Sequence, residues 1–66
     1  MSEEQAARAI HLRHRLRAMA SRGRDGAVSQ TLDELRALAE QLQDPTLEAE
    51  HLRWRTFFEQ LQRRAA

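Results

Sequence analysis

The chain of 66 residues contains no cysteine, no tyrosine and no lysine, and it has only two glycines and one proline. Because it has no thiol, it cannot form a disulfide, a zinc–thiolate site or an iron–sulfur cluster. Its apolar runs are far shorter than the roughly 20 residues that span a bilayer, and its first residues are polar. We therefore expect a soluble, cytoplasmic protein that does not enter a membrane.

Aromatic residues are also few, and all of them lie close together. The one tryptophan and the two phenylalanines fall within the segment HLRWRTFFEQL, residues 51–61. A chain of this length forms a single domain, residues 1–66, and buries only about 60% of the surface that it exposes when unfolded. Such a domain has little room for a deep active-site cavity. The aromatic segment therefore either closes the chain's own core or contacts another molecule.

Charge is distributed unevenly, although the formal net charge is only +1. Residues 1–24 contain six arginines and two glutamates, residues 25–50 contain one arginine and seven acids, and residues 51–66 contain four arginines and one glutamate. The chain is thus basic, acidic and basic in turn. This order predicts that arginine side chains of the outer segments lie close to acids of the middle segment, such as Glu34.

A first helix is predicted over residues 3–21. Ser2 and Gln5 have the spacing of a capping box, and Gly23 and Gly26 supply a stop and a turn. One stripe of this helix is apolar, with the 3.6-residue period of a half-buried helix. Its members are Ala9, Leu12, Leu16, Met19 and Ala20.

A second helix is predicted over residues 27–43, with Asp25 or Ser29 as its N-cap. It ends before Pro45, because a proline ring disfavours helical geometry in the preceding residue. Its apolar face and its acidic face lie on opposite sides. The apolar face contains Val28, Leu32, Leu35, Leu38, Ala39 and Leu42, and the acidic face contains Asp33, Glu40 and Asp44.

A third helix is predicted over residues 45–64, with Asp44 as N-cap and Pro45 at the first helical position. The residues that form its aromatic face recur at spacings of three and four, and Phe57 lies on the edge of that face. The fold class is therefore all-α: three amphipathic helices form a small bundle, or a helical hairpin plus a third helix, which we expect oligomerisation to complete. Ile10 and Leu52 lie off the apolar stripes and are expected to be exposed.

Two heptapeptides, AIHLRHR at residues 9–15 and AEHLRWR at residues 49–55, match at five of seven positions. With LDELRALAEQLQDP between them, the layout resembles a fragment of tetratricopeptide-type helical repeats, which implies a helix A, a helix B and the next helix A. The apolar stripe does not carry over by 40 residues, because Leu16 and Met19 would fall on Thr56 and Glu59. The buried faces of the two copies are therefore not expected to correspond.

The stretch VSQTLDEL, residues 28–35, resembles the SQ-x-LD stretch of small helical-hairpin phosphatases that act on aspartyl-phosphate response regulators. In that family the hairpin is the whole domain, whereas a third helix is expected here. The resemblance requires Ser29, Gln30 and Asp33 to lie on an exposed face that no third helix covers.

Residues that could support catalysis or bind a metal are not expected to converge. His11 and His14 face the polar side of helix one, and His51 borders the aromatic face of helix three. The acids of helix two face solvent, and the chain has no glycine-rich phosphate loop and no HExxH stretch. We expect a non-enzymatic protein without a metal or another cofactor.

The aromatic face of helix three is the candidate protein interface, because aromatic residues and arginine concentrate at interface hot spots. The residues assigned to it are Leu47, His51, Trp54, Phe57, Phe58 and Leu61. The expected function is that of a protein–protein interaction module: an adaptor, an assembly chaperone or a regulator that masks a partner's surface. The partner is a second copy in a homodimer, another protein, or both.

The alternative is a small DNA-associated regulator. Arg8, Arg15 and Arg22 recur every seven residues along one side of helix one, a geometry that can follow phosphates. The low net charge and the acidic second helix argue against nucleic acid as the main partner. Docking of this helix on a membrane surface is not expected.

Overall fold

The computed structural model describes residues 2–22 and 26–65. They form three helices: α1 at Glu3–Arg22, α2 at Val28–Leu42 and α3 at Pro45–Ala65. Each helix end lies within one residue of its predicted position. The prediction of an all-α fold with three helices is confirmed.

The start of α1 is the predicted capping box. The Ser2 amide donates to Gln5 Oε1 at 2.9 Å, and the Gln5 amide donates to Ser2 Oγ at 3.2 Å. These two bonds satisfy amides that the helix itself leaves without a partner. The predicted stop at Gly23 lies outside the described residues, whereas Gly26 lies in the turn before α2.

The start of α2 differs from the prediction. Ala27 is the N-cap and makes no side-chain capping bond, so the prediction that Ser29 caps this helix is wrong. The Ala27 carbonyl accepts the first helical bond from the Thr31 amide at 3.0 Å, which places Ser29 inside the helix. Ser29 is thus in the first helical turn, among the unpaired amides, and not at the flanking position from which a side chain caps them. The other predicted cap, Asp25, lies outside the described residues.

The end of α2 is closed by a left-handed residue. Gln43 has φ 50° and ψ 46°, and its amide donates to the Glu40 carbonyl at 3.3 Å. The Asp44 amide donates to the Ala39 carbonyl at 3.2 Å. This pair of bonds is the Schellman motif, which reverses the chain within a few residues.

The same turn starts α3, as predicted. Asp44 Oδ1 accepts from the amides of Thr46 at 2.9 Å and Leu47 at 3.4 Å, and Pro45 occupies the first helical position. Two short connections therefore lead from α1 to α2 and from α2 to α3. Consequently α2 runs antiparallel to both neighbours, and α1 and α3 run in the same direction.

The core lies along α2, which packs against both other helices, whereas α1 and α3 approach each other sparsely. The bundle is elongated, with extents of 40 × 18 × 15 Å. Apolar side chains from all three helices fill the core. Its buried members are Ala9, Leu12, Leu16, Met19, Leu35, Leu38, Ala39, Leu47 and Phe58. Thr31 is buried among them, although its hydroxyl kept it out of the predicted apolar face.

Ion pairs join the basic outer helices to acids, as the charge pattern predicted. Arg15 of α1 lies 3.5 Å from Glu34 of α2, and Arg13 of α1 pairs with Glu50 of α3. The first pair involves the acid that the sequence singled out. The second also joins an arginine of residues 1–24 to an acid of residues 25–50, although the sequence did not single out Glu50.

The two similar heptapeptides have different surroundings. Leu12 is buried in the core, whereas Leu52, its counterpart 40 residues later, is 53% exposed. Leu16 is also buried, whereas Thr56 is exposed. The two copies thus present different faces to the core, as the shifted apolar stripe predicted.

Candidate functional site

Three aromatic rings on α3 form one cluster. Trp54 stacks on Phe58 with ring centroids 6.0 Å apart and an angle of 26° between the planes. Phe57 meets both rings edge to face, at 6.0 Å from Trp54 and 5.3 Å from Phe58. Pairs with these geometries each contribute about 0.5–1.5 kcal/mol beyond the area that they bury. The three rings therefore support one another by direct contact.

The six residues assigned to the protein interface divide by burial. Leu47, His51 and Phe58 lie inside the chain's own core, with 2%, 7% and 9% of their surface exposed. The remaining three have surface outside. Trp54 and Leu61 are half-buried against the core, and Phe57 is 40% exposed. We call Trp54, Phe57 and Leu61 the aromatic edge, because only these three of the six present substantial surface to a partner.

The aromatic edge lies on the flank of α3 that faces α1. Glu50, at spacings of four and seven from Trp54 and Phe57, shares their side of the helix. Its carboxylate is bonded to Arg13 of α1, so this side of α3 is the one beside α1. Because α1 and α3 run in the same direction, Arg17 of α1, one turn beyond Arg13, lies at about the level of Trp54.

Arginines without acidic partners surround the aromatic edge. On α3, Arg53 and Arg64 are spaced four and seven residues from Phe57 and share its flank. Together with Arg17, they have no ion pair within residues 2–22 and 26–65. All three side chains are exposed. The spacing of Arg53 and Arg64 around Phe57 is visible in the sequence, but their lack of acidic partners is not.

A concave surface with a volume of about 490 Å³ lies between α2 and α3, separate from the aromatic edge. Its lining includes His51, Leu52, Arg36, Glu40 and Arg55. Burial lowers the pKa of His51, and the positive charges of Arg36 and Arg55 lower it further, while Asp33 and Glu40 oppose them. His51 is therefore mainly neutral near pH 7.

The residues of the nucleic-acid alternative lie on the outer side of α1. Arg8 and Arg22 are exposed, but Arg15 is half-buried beside Glu34. The Nε atom of Arg22 donates to the Ala18 carbonyl of its own helix at 3.4 Å. A shallow cleft of about 380 Å³ next to them is lined by His11, His14, Arg15, Ala18, Met19, Arg22 and Ala27. Of the three arginines, one already has an acidic partner.

The remaining chemical candidates are spread over the surface. Among the described residues, no group of three or more His, Asp or Glu side chains could hold a metal ion. Asp33 and Glu40 are exposed, as predicted, and Asp44 caps α3. In the same part of the chain, no helix is long and apolar enough to cross a membrane.

Ser29, Gln30 and Asp33 lie on the outer face of α2 and are exposed, so α3 does not cover them. This is the arrangement that the resemblance to hairpin phosphatases requires. It is also the arrangement that an amphipathic helix gives to any polar residue on its solvent side. The exposure of these three residues therefore does not distinguish the two explanations.

In comparisons with known proteins, no protein-family model matches the chain, and no curated protein or solved structure matches it significantly. A function is therefore inferred from the geometry and charge of the chain's own residues.

Proposed function

We propose that this protein is a non-enzymatic interaction module that binds another protein surface through the aromatic edge of α3. The observation that carries the proposal is the position of Phe57, which is 40% exposed while it contacts both other rings of the cluster. An exposed Phe that contacts one buried and one half-buried ring loses less side-chain freedom when a partner covers it than an isolated Phe does. Such preorganised aromatic residues are typical of interface hot spots.

The buried residues of the same helix have a supporting role in this proposal. Leu47 and Phe58 fix α3 on the core, and Phe58 orients Trp54 by stacking on it. The partner therefore meets a surface whose shape is already set. An adaptor, an assembly chaperone or a regulator that masks a partner's surface would each use such a surface, and a homodimer is its simplest form.

The proposal is tested with Phe57→Ala, and Leu52→Ala is the matched control. Both side chains are exposed apolar residues of α3, at 40% and 53%. They point about 140° apart around the helix, since each residue turns the chain by about 100°. We expect the Phe57→Ala variant to keep its helical circular dichroism but to weaken association at least about tenfold, a loss of about 1.4 kcal/mol.

Self-association is measured by light scattering over a range of concentrations, and binding to other proteins by the fluorescence of Trp54, the only tryptophan. If Leu52→Ala reduces association as much as Phe57→Ala does, the aromatic edge is not the binding surface. A wild-type chain that stays monomeric at millimolar concentration excludes the homodimer but leaves a different partner open.

The alternative function is a DNA-associated regulator, for which Arg8 and Arg22 are the supporting observation, since both are exposed on one side of α1. The double variant Arg8→Ala, Arg22→Ala would then weaken binding to duplex DNA, and the affinity of the wild type would fall steeply with salt. Phe57→Ala would leave DNA binding unchanged. The opposite result, with DNA affinity insensitive to both arginines, excludes this alternative.

A further inference from the structure

We infer that the partner of the aromatic edge is an acidic amphipathic helix of another protein, which lies along the α1 side of α3. Its apolar residues would cover Trp54 and Phe57, and its carboxylates would pair with Arg17, Arg53 and Arg64. The inference rests on the proposed function and specifies the chemistry of the partner.

Charge complementarity is the first argument. Of the ten arginines among the described residues, four have acidic neighbours within 4 Å: Arg13, Arg15, Arg36 and Arg55. The other six have none among the same residues, and three of those six lie around the aromatic edge. On this flank Glu50 is the nearest acid in sequence to Arg53, and both of its oxygens are bonded to Arg13. The flank therefore combines an apolar centre with uncompensated positive charge, and a surface that carries carboxylates around apolar residues complements it.

The shape of the flank favours a helix as the bound element. Since α1 and α3 run in the same direction but approach each other sparsely, their contact leaves the flank of the aromatic edge uncovered. An amphipathic helix can pack along this flank and add a fourth rod to the bundle. From Glu50 to Arg64 the flank is about 21 Å long, which corresponds to about four turns of a bound helix.

A second copy of the chain fits this surface poorly. In an isologous dimer the same flank would face itself, so Arg53 and Arg64 would oppose arginines. The acidic surface of another copy is the outer face of α2, and its exposed residues include no large apolar side chain. They are Ser29, Gln30, Asp33, Arg36, Ala37, Glu40 and Gln41. That face offers nothing to cover Phe57.

Nucleic acid also fits less well than an acidic helix. A phosphate backbone that followed this flank of α3 would meet Glu50 as well as the arginines. The apolar side chain of Leu61 offers no stacking surface for a base. An acidic protein segment accommodates both features, because its apolar residues cover Leu61 and its carboxylates can be placed only opposite the arginines.

The test uses three synthetic helical peptides of about 18 residues, which is about five helical turns, identical in their leucine stripe but with Glu, Gln or Arg on the flanking positions. Binding to the full chain is followed by Trp54 fluorescence. We expect the Glu peptide to bind at least about tenfold more tightly than the Gln peptide, a difference of about 1.4 kcal/mol. The Arg peptide should not bind.

The arginines are tested by substitution in the full chain. The double variant Arg53→Gln, Arg64→Gln should reduce the preference for the Glu peptide over the Gln peptide, since only Arg17 of the three arginines remains. The control Arg63→Gln should keep that preference, because this exposed residue lies about 100° around the helix from Arg64. Helical circular dichroism of each variant checks that the fold is retained.

If the Glu and Gln peptides bind equally and Phe57→Ala abolishes both, the proposed function stands and the acidic partner is excluded. The inference is also overturned if no peptide binds, or if a single-stranded oligonucleotide competes out the Glu peptide through the two arginines. It is equally overturned if wild-type chains dimerise through this flank, which would support the homodimer instead.

Discussion

Arg13 of α1 and Glu50 of α3 form a two-point ion pair, in which Nε lies 2.7 Å from Oε2 and Nη2 lies 2.8 Å from Oε1. The hydrogen bond to Glu50 raises the pKa of Arg13, and the charges of Glu50 and Asp44 raise it further, against the opposing effect of burial. The pair links the two outer helices directly. Elsewhere α1 and α3 approach each other only sparsely.

We expect this pair to contribute measurably to stability. Its side chains are 37% and 20% exposed, so water screens part of the attraction, and a double-mutant cycle with alanine should give a coupling of about 1 kcal/mol. The control is the cycle for Arg36 and Glu40, an exposed pair within α2 that should give about 0.3 kcal/mol. Urea unfolding measures both. Equal couplings would mean that the link between α1 and α3 adds nothing beyond an ordinary surface pair.

Thr31 provides a second test, because its side chain is fully buried in α2. Its hydroxyl donates to the Ala27 carbonyl at 2.9 Å, but that carbonyl also accepts the Thr31 amide at 3.0 Å. Thr31→Val therefore leaves no polar group without a partner and should change the free energy of unfolding by less than about 1 kcal/mol. Thr31→Ser keeps the hydroxyl but removes a buried methyl group, which costs about 1 kcal/mol. If the serine variant is the more stable one in urea unfolding, the hydroxyl matters more than the methyl group.

Gln43 provides a third test, because it holds a left-handed conformation that side chains with a Cβ adopt at a cost. Gln43→Gly should therefore raise the free energy of unfolding by about 0.5–1 kcal/mol. The control is Gln41→Gly, at an exposed position within α2, which should lower it by a similar amount. Thermal unfolding of the two variants should shift in opposite directions. A shift in the same direction would show that the turn does not determine the effect.

The helices could be predicted from the sequence because their ends depend on local chemistry. The capping box at Ser2 and the dipeptide of Asp44 and Pro45 act on residues within one turn, so their effect can be read without a fold. The start of α2 was harder to predict, since Ala27 carries no capping side chain and the polar Ser29 suggested the wrong residue. The helix start itself was still predicted to within one residue, but the residue that caps it was not.

The candidate site was predicted less completely, because it depends on packing between helices. Periodicity placed Phe58 on the aromatic face and Phe57 on its edge, and the burial of Phe58 and the exposure of Phe57 agree with that order. It could not show on which side of α3 helix α1 lies. The pairing of Glu50 with Arg13 fixes that side, and no local pattern connects residues so distant in sequence.

His51 gives the last prediction, which concerns pH. Its side chain is 7% exposed, and its pKa is lowered by burial and by the charges of Arg36 and Arg55, against Asp33 and Glu40. The unfolded chain therefore binds a proton at this residue at higher pH than the folded chain does. Stability from neutral His51 is complete above the unfolded pKa of about 6.5. It is lost as the pH falls from there through the lower folded pKa, because protonation favours the unfolded state.

The measurement is the urea midpoint at about pH 7.5 and about pH 5.5, where most carboxylates are still ionised. Wild type should lose stability between these two values, and His51→Gln should lose less, since glutamine cannot take up the proton. His14→Gln is the control, at an exposed position of α1, and should keep the wild-type loss. If His51→Gln shows the same loss as wild type, the pH dependence arises elsewhere. If only His51→Gln shows a smaller loss of stability, the pH dependence is due to this one buried imidazole. Its protonation would place a third positive charge beside Arg36 and Arg55 in the groove between α2 and α3.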